Sequence, residues 1–347
     1  MNASAPVSAI STPFDTPPAP GAAVEVAPGV LWMRLGLPLA LDHVNVFALE
    51  DGDGWTIWDA GLGDAPSLEG WEALLAGPLA GRPVRRLIVT HHHPDHVGAA
   101  GWLLRRTGAE LLMVQSEYLL TRLRVAALFE ETESEDQDFY LSRGLSREAM
   151  EGILGRGPEY VRTVHRMPAA YRSIVAGEVL EIGGRAWQVR TGGGHSEEMA
   201  MLWCPEAGVF LAADQVMVGI TPNVGVWPYE PFARPLDRFL SSLHALRAEI
   251  PDDALVLPGH KLPFRGLHAR VAELNAHHDK VFGKILAACA DGPLSVGELI
   301  PRLFKRELPP HHAGLAFAES LAHANTLIGR GRLTFARHDD GLWRLAA

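Results

Sequence analysis

The 347-residue sequence has few of the features that mark specialised classes of protein. It contains only two cysteines, Cys204 and Cys289, which excludes a disulfide framework and leads us to expect a reducing, cytoplasmic location. No apolar run reaches the roughly 18 residues that a membrane-spanning helix needs, so we expect no membrane partner. The N-terminal residues lack the basic start and the apolar core of a secretory signal. These absences together favour a globular protein of the cytoplasm.

An excess of positive charge is also missing, which argues against broad binding of nucleic acid. The chain has 31 Lys and Arg against 41 Asp and Glu, a formal net charge of −10. Residues 280–347 carry nine basic and six acidic side chains, a net of +3, but no dense basic cluster. We therefore expect a small-molecule substrate, and a nucleic-acid partner stays open without being favoured.

The residues that are present divide the chain into four parts. Residues 1–23 are rich in Ala, Pro, Ser and Thr and are predicted to form a flexible tail. Short strands and helices alternate over residues 24–265, which indicates a mixed α/β catalytic domain. Within it, residues 116–172 are charged and have helical periodicity, which predicts a helical insertion. Residues 266–347 combine helices with a terminal hairpin and suggest a small winged-helix-like domain.

One short motif points to chemistry. The segment Thr90–His96 reads Thr-His-His-His-Pro-Asp-His and follows the apolar run Leu87–Val89, which predicts a buried strand. The potential metal ligands in this segment are His91, His93, Asp95 and His96. Packing does not require such a density of ligating side chains at the end of a strand. Imidazole suits zinc and similar metals, and this spacing can supply ligands to two ions.

Four other segments lead directly into a histidine or an aspartate. These residues are Asp59 after Thr56–Trp58, His195 after three glycines, Asp214 after Phe210–Ala213 and His260 shortly after Leu255–Leu257. The pairing of Met199–Cys204 with Val209–Ala213, turning at residues 205–208, is predicted to place Met199 opposite Asp214. His195 then lies beyond the same end of this hairpin. Since loops at strand ends aim side chains inward from a rigid frame, we expect one shared site.

These motifs resemble the metallo-β-lactamase superfamily, in order and in spacing, from Val24 to about Phe264. The resemblance implies an α/β fold, an αββα sandwich of two mixed sheets with helices outside and metals at one edge. It implies that His91, His93 and His195 bind one metal, that Asp95, His96 and His260 bind a second, and that Asp214 bridges the two. Asp59 is similar to the family's acid that orients a ligand imidazole. The implied cofactors are two Zn²⁺ ions, with Mn²⁺ or iron as alternatives.

The resemblance also implies a reaction. Two ions about 3.5–4 Å apart hold a bridging hydroxide that is nucleophilic near neutral pH, and one ion polarises the carbonyl or phosphoryl oxygen. Asp95 is predicted to have a catalytic role as well, because it can guide a proton to the leaving group. The protein is thus expected to be a metal-dependent hydrolase.

Departures from the pattern narrow the branch of the superfamily. His93 stands where the di-iron flavoproteins have a glutamate, and Asp214 supplies the bridging carboxylate that true β-lactamases lack. The stretch 214–224 and the C-terminal part look most like a glyoxalase II-like branch near β-lactamase-like protein 2. We therefore expect hydrolysis of a thioester or activated ester, as in a hydroxyacylglutathione hydrolase.

Other functions rank lower. The alternative is a phosphodiesterase or ribonuclease of the same superfamily, and a lactonase, a β-lactamase and a mononuclear iron dioxygenase follow. The helical insertion is predicted to form a lid over the metals and to offer a surface for oligomer formation. The C-terminal part is interpreted as a lid or dimerisation module.

Several histidines in the sequence have an ordinary interpretation. His92 is predicted to face away from the metals, because side chains alternate in direction along an extended chain. Two histidine pairs in the C-terminal region lack a nearby carboxylate or cysteine at ligand spacing and are predicted to be surface or helix-end residues: His277, His278, His311 and His312.

Overall fold

The computed structural model describes residues 9–126, 133–155, 159–305 and 310–347, and it divides into two compact units. The first unit comprises Met1–Ala127, Pro158–Pro222 and Ser242–Val271. The second unit comprises Leu128–Gly157, Asn223–Ser241 and Ala272–Ala347. Each unit is described separately below.

The first unit contains two mixed β-sheets. The strands of the seven-stranded sheet are, in spatial order, β1 (Val24–Ala27), β2 (Val30–Gly36), β3 (His43–Asp51), β4 (Gly54–Trp58), β5 (Val84–Val89), β6 (Glu110–Met113) and β7 (Arg172–Ser173). The five-stranded sheet comprises β8 (Val179–Ile182), β9 (Arg185–Gly192), β10 (Met199–Cys204), β11 (Val209–Ala213) and β12 (Leu255–Pro258), in the spatial order β12-β11-β10-β9-β8. Four neighbouring pairs are parallel: β4 with β5, β5 with β6, β6 with β7, and β11 with β12.

Helices lie between some of these strands and after the last of them. They are α1 (Ala65–Ala76), α2 (Pro94–Val97), α3 (Ala100–Thr107), α4 (Gln115–Val125), α5 (Glu133–Leu141), α6 (Arg147–Leu154), α7 (Glu159–Thr163), α8 (Pro235–Glu249), α9 (Leu267–Ala290), α10 (Val296–Leu303) and α11 (Pro310–Gly329), followed by the hairpin β13 (Thr334–Arg337) and β14 (Trp343–Ala346). None of the helices in the described ranges is both long and apolar enough to cross a membrane.

The core of the first unit explains its layered architecture. Residues 43–49 of strand β3 are buried on both faces, and they are apolar except for His43 and Asn45. Its Phe47 joins the core between the two sheets, whereas Val46 joins a core that includes Trp71 of α1 and Leu103 of α3. Side chains of β3 therefore alternate between a sheet-to-sheet core and a helix-to-sheet core. This confirms the predicted αββα sandwich.

The second unit consists of α5, α6, α10, α11 and the β13–β14 hairpin, together with parts of α8 and α9. A capping box between Ser295 and Glu298 starts α10. Helix α9 differs from the sequence prediction, because His278 is 1% exposed rather than at the surface. Its Nδ1 lies 3.0 Å from Nε2 of His323, so His278 is a core histidine that pairs with another imidazole. His311 lies outside the residues whose side chains are described.

Other expectations meet the structure with mixed results. The β10–β11 register pairs Cys204 with Val209 and Leu202 with Leu211, in line with the predicted turn, and the placement of Met199 opposite Asp214 stays a prediction. Residues 116–172 contain helices α4 to α7, but the two units share this segment. The described part of the N-terminal tail makes one backbone pairing with the rest of the first unit, and its flexibility stays a prediction. Ser11 and Arg265 form an antiparallel bridge, in which the backbone N–H of each donates to the carbonyl oxygen of the other.

Candidate metal centre

The candidate ligands lie at the C-terminal ends of strands in the first unit. Asp59 follows β4 directly, Asp214 follows β11 directly, and His260 lies two residues beyond β12. His195 lies in the loop between β9 and β10. Because β4 and β5 run parallel, as do β11 and β12, their C-terminal ends meet at one edge of each sheet.

The histidine motif owes its shape to a helix start. His93 is the extended N-cap residue of the short helix α2, and Pro94 occupies the first helical position, where its fixed φ is favourable. The backbone N–H of His96 donates to the carbonyl oxygen of His93. Thus His91 and His93 lie on extended chain, whereas Asp95 and His96 project from the first turn of the helix.

The structure brings the seven predicted ligands together. Three overlapping sets have ligand atoms within 4.8 Å of one another: His91 with His93 and His195, His91 with His96 and Asp214, and Asp95 with His96 and His260. We call His91, His93 and His195 the first ligand group, and Asp95, His96 and His260 the second ligand group. This grouping is the one that the resemblance implies.

Each of three imidazoles is oriented by a partner on its outer nitrogen. Nδ1 of His91 lies 2.8 Å from Oγ1 of Thr90, and Nδ1 of His96 lies 2.8 Å from Oδ2 of Asp59. Nδ1 of His260 lies 2.7 Å from the carbonyl oxygen of His43. These contacts leave the Nε2 atoms to face the cluster, which is the arrangement that metal-binding histidines need.

Asp214 occupies the centre of the cluster. Its Oδ2 lies 3.4 Å from Nε2 of His195 and 3.3 Å from Nε2 of His260, and its Oδ1 lies 3.4 Å from Nε2 of His96. One carboxylate therefore contacts members of both ligand groups. Asp95 lies at the margin, with Oδ2 3.4 Å from Nε2 of His260 and a side chain that is 23% exposed.

The two groups differ in their charge without metal. Burial and the charges of neighbouring imidazoles hold the pKa values of His91 and His93 well below the ordinary value. Burial opposes charge on His96 and His260 too, but Asp214 and other carboxylates outweigh it. They raise the pKa of His96 well above its usual range and that of His260 to about 10. The imidazoles of His91 and His93 are thus held neutral, whereas the second group is a set of paired charges.

Backbone strain also concentrates at this edge. Among the described residues, the non-glycine residues with positive φ are Asp59 at 62°, Ala213 at 46° and Lys261 at 69°. Each of them follows or ends a strand that carries a candidate ligand. Left-handed conformations cost energy for residues with a Cβ atom and tend to cluster at functional sites.

Hydrogen bonds of its side chain stabilise Asp59 in this conformation. Its side chain is fully buried, and Oδ1 accepts the backbone N–H of Thr90 at 2.8 Å. Oδ2 accepts the hydroxyl of Thr90 at 3.0 Å and contacts Nδ1 of His96. Asp59 therefore connects the end of β4 to the histidine motif and lies where it can orient His96, as the resemblance implies.

His92 has a different environment from its neighbours. Its ring is buried, but it belongs to none of the ligand sets, and its Nδ1 lies 2.7 Å from Oε2 of Glu117. The prediction that it faces away from the ligands agrees with this placement. Glu117 itself was not identified from the sequence, because a single glutamate in a charged helix carries no distinctive signal.

Two other polar residues of β3 were also missed. Nδ2 of Asn45 donates to the carbonyl oxygens of Pro258 and Lys261, which flank His260. His43 accepts the backbone N–H of Lys261 on its Nε2. The signal available for both was the presence of buried polar residues in the otherwise apolar strand His43–Asp51, since such residues need hydrogen-bond partners.

The donor set fits divalent metal ions. In the described part of the chain, Nε2 of His96 and Oδ1 of Asp214 are buried without a good hydrogen bond, because the 3.4 Å between them is longer than such a bond. Buried polar atoms are rarely left in this state, and a metal ion satisfies such lone pairs. Imidazole nitrogen with carboxylate oxygen suits zinc, iron or manganese.

Comparison with known proteins agrees with this geometry. Residues 39–260 match the family model of the metallo-beta-lactamase superfamily, and residues 282–347 match that of the metallo-beta-lactamase-like C-terminal domain. No match was found among curated proteins.

Solved structures give the same result. A beta-lactamase domain protein from Burkholderia ambifaria is 37% identical, with a TM-score of 0.86 over 97% of this chain and 98% of that one. A metallo-beta-lactamase family protein from Thermus thermophilus is 28% identical, with a TM-score of 0.77 over 92% and 98%. A metallo-beta-lactamase from Erythrobacter litoralis, 17% identical with a TM-score of 0.51 over 74% and 96%, is similar in fold alone. The chain therefore belongs to the metallo-beta-lactamase superfamily and is a metal-dependent hydrolase.

Proposed function

We propose that the protein is a dinuclear metal-dependent hydrolase that cleaves a thioester or another activated ester. The position of Asp214 carries this proposal, because its carboxylate contacts histidines of both ligand groups at 3.3–3.4 Å. A bridging carboxylate between two nitrogen-rich groups favours two ions over one. The candidate ions are zinc first, with manganese or iron as alternatives.

The two ligand groups would each hold one metal ion. The first ligand group would hold one ion and the second ligand group the other, with Asp214 shared. When bound, two such ions activate water near neutral pH and stabilise negative charge on the substrate oxygen. The neutral imidazoles of His91 and His93 have the protonation state that a metal ligand needs.

Asp95 is the candidate for proton transfer. Its side chain is 23% exposed, whereas that of Asp214 is 6% exposed. A carboxylate that both contacts the ligand group and reaches solvent can accept a proton on one side and deliver it to a leaving group. We assign Asp95 this role beside its contact with His260.

Sequence features favour the glyoxalase II-like branch, with residues 266–347 as a winged-helix-like module. The helices α4 and α7 support a substrate-shaping role for the insertion, because Glu117 of α4 and Tyr160 of α7 both contact His92. The two cysteines are buried and form no disulfide, which supports a cytoplasmic location.

A phosphodiesterase is the second candidate, and one observation favours it. A cleft of about 600 Å³ in the first unit has four arginines in its lining, and Arg172 pairs with Glu178. The other three, Arg105, Arg122 and Arg166, have no carboxylate partner among the described residues. Guanidinium groups without a carboxylate partner suit phosphate, so the cleft offers contacts for a nucleic-acid backbone. Glu110, which begins β6, also lines it, so the cleft lies toward the N-terminal ends of the parallel strands and not beside the ligands that follow their C-terminal ends.

The two candidates are separated by a parallel assay. Metal-loaded protein would be tested on a panel of acyl thioesters and on labelled single-stranded RNA. We expect thioester turnover that is lost on chelation and returns with about two equivalents of metal. RNA cleavage without thioester turnover would replace the leading proposal with the second one. Activity that survives complete metal removal would contradict both.

A salt series on the active substrate adds a check. Binding through phosphate contacts weakens steeply with salt, because counterions are released from the nucleic acid. Turnover of an uncharged thioester is expected to change little over the same range. A steep loss of thioester turnover with salt would contradict a site for a neutral acyl group.

A further inference from the structure

Glu117 lies in the first turn of α4, and its carboxylate is fully buried. It is neither one of the predicted metal ligands nor the predicted orienting acid, Asp59. Its Oε2 accepts the backbone N–H of His92 at 2.9 Å and contacts Nδ1 of His92 at 2.7 Å. Its Oε1 accepts the hydroxyl of Ser196 at 2.7 Å and the backbone N–H of Glu198 at 2.6 Å. Both oxygens of Glu117 are thus used, each on a different loop.

Those two loops carry the whole first ligand group. His92 stands between His91 and His93, and Ser196 is the residue after His195. The carboxylate of Glu117 therefore connects the loop after β5 to the loop between β9 and β10, which belong to different sheets. Tyr160 of α7 adds a further restraint, because its hydroxyl donates to the carbonyl oxygen of His92 at 2.7 Å.

The second ligand group has other supports. Asp59 orients His96, and the carbonyl oxygen of His43 orients His260. Within the described part of the chain, the hydrogen bonds of Glu117 reach none of these residues and do not reach Asp214. A change at Glu117 is therefore expected to act on one ligand group and to spare the other.

A carboxylate is the only side chain that matches this set of contacts. Two backbone N–H groups and a hydroxyl donate to it, so it must offer acceptors on both oxygens. Glutamine would keep one acceptor and aim an NH₂ group at donors on the other loop. Burial makes that mismatch costly, since the displaced N–H group finds no water.

We propose that Glu117 is a positioning residue that sets the separation of the two loops and thereby the metal affinity of the first ligand group. This inference rests on the proposed dinuclear function. Glu117 would contact neither metal nor substrate. Its effect passes through the backbone on both sides of the imidazoles, because a ligand that is displaced by a fraction of an ångström loses its alignment with the ion.

The test measures metal affinity in two backgrounds, by competition with a chromophoric chelator. In His260→Ala, only the first ligand group is complete, and we expect Glu117→Gln to weaken the remaining ion about 10- to 100-fold. In His93→Ala, only the second group is complete, and the same change should stay within about twofold of its parent. Equal losses in both backgrounds, or no loss in the first, would overturn the proposal.

Matched variants complete the design. Glu198→Gln removes another carboxylate of the same loop, one that accepts the hydroxyl of Ser116 at 3.3 Å, and should leave both affinities within about twofold. If Glu117→Gln does not fold, Ser196→Ala removes one hydrogen bond and should weaken the first ion alone by a smaller factor. A parent protein that binds no ions contradicts the dinuclear function itself. A normal two-ion parent with unchanged Glu117→Gln contradicts only the positioning role.

Discussion

Replacement of Asp59 by asparagine should weaken the second ligand group selectively. Oδ1 of the wild-type side chain accepts the N–H of Thr90, and Oδ2 faces Nδ1 of His96 at 2.8 Å. Asparagine can keep the first hydrogen bond, but its NH₂ group then faces the imidazole. His96 must either lose its partner or move its proton to Nε2, the atom that faces Asp214.

The expected magnitude follows from the role of the hydrogen bond that the substitution removes. Mutation of the partner that orients a metal-binding histidine typically reduces metal affinity about 10- to 100-fold, which corresponds to about 1.4–2.8 kcal/mol. The upper end is expected here, because neither Asp59 nor His96 is exposed and no water replaces the carboxylate oxygen. The free energy of unfolding should also fall, since the hydroxyl of Thr90 loses an acceptor.

The measurement is a chelator competition on metal-free protein, with Asp64→Asn as the control. Asp64 caps α1 through the N–H of Ser67, and asparagine caps helices as well as aspartate does. We expect wild-type affinities for the control and, for Asp59→Asn, an affinity for one of the two ions that is about 10- to 100-fold weaker. Wild-type affinity for both ions in Asp59→Asn would refute the reasoning. So would an Asp59→Asn effect that disappears in the His93→Ala background, because only the second ligand group is complete there.

Two other predictions concern different parts of the chain. A Cβ atom on Gly259 would overlap Oδ1 of Asp214 and crowd His96, so Gly259→Ala should reduce affinity for both ions by more than about tenfold, and titration of metal-free protein measures this. Retained two-ion binding would contradict a central Asp214. Burial raises the pKa of Glu319 to about 7 from a usual 4.5, so its contribution to stability is present below pH 4.5 and is lost as the pH rises through 7. Glu319→Gln should therefore raise the melting temperature more at pH 8 than at pH 5. The corresponding gain in the free energy of unfolding is at most about 3 kcal/mol. The wild type and the Glu319→Gln variant both contain His278 and His323, so the pH dependence of the gain reports on Glu319 alone. An equal gain at pH 5 and pH 8 would contradict the raised pKa of Glu319.

The local pattern of the sequence was sufficient for much of the fold. Strands β10 and β11 have the predicted bounds, and their register follows from the position of the turn, because the pairing of a hairpin is fixed once its turn is fixed. Longer-range pairing was harder to predict. The pairing of Ser11 with Arg265 joins residues from opposite ends of the first unit, and no periodicity reports it.

The same limit applies to polar residues of the interior. His278 has the sequence context of an exposed helical histidine, yet it is buried because α11 supplies His323 as a partner. Glu117 resembles any acidic residue near a helix start, and its four donors come from residues 25 and 79–81 positions away. Such roles depend on which loops meet, and composition does not encode that.

The sequence by itself determined much of the donor set. His91, His93, Asp95 and His96 lie within one short motif, so they stay close in space however the rest of the chain folds. It also predicted that Asp214 and His195 lie near each other, and in the structure Oδ2 of Asp214 lies 3.4 Å from Nε2 of His195. The sequence also singled out Asp59 as the residue that orients an imidazole, whereas only the tertiary structure revealed the contributions of Glu117 and the carbonyl oxygen of His43. The physical reason is that ligand chemistry is a property of single side chains, whereas orientation requires a second group that the fold brings to within hydrogen-bond distance.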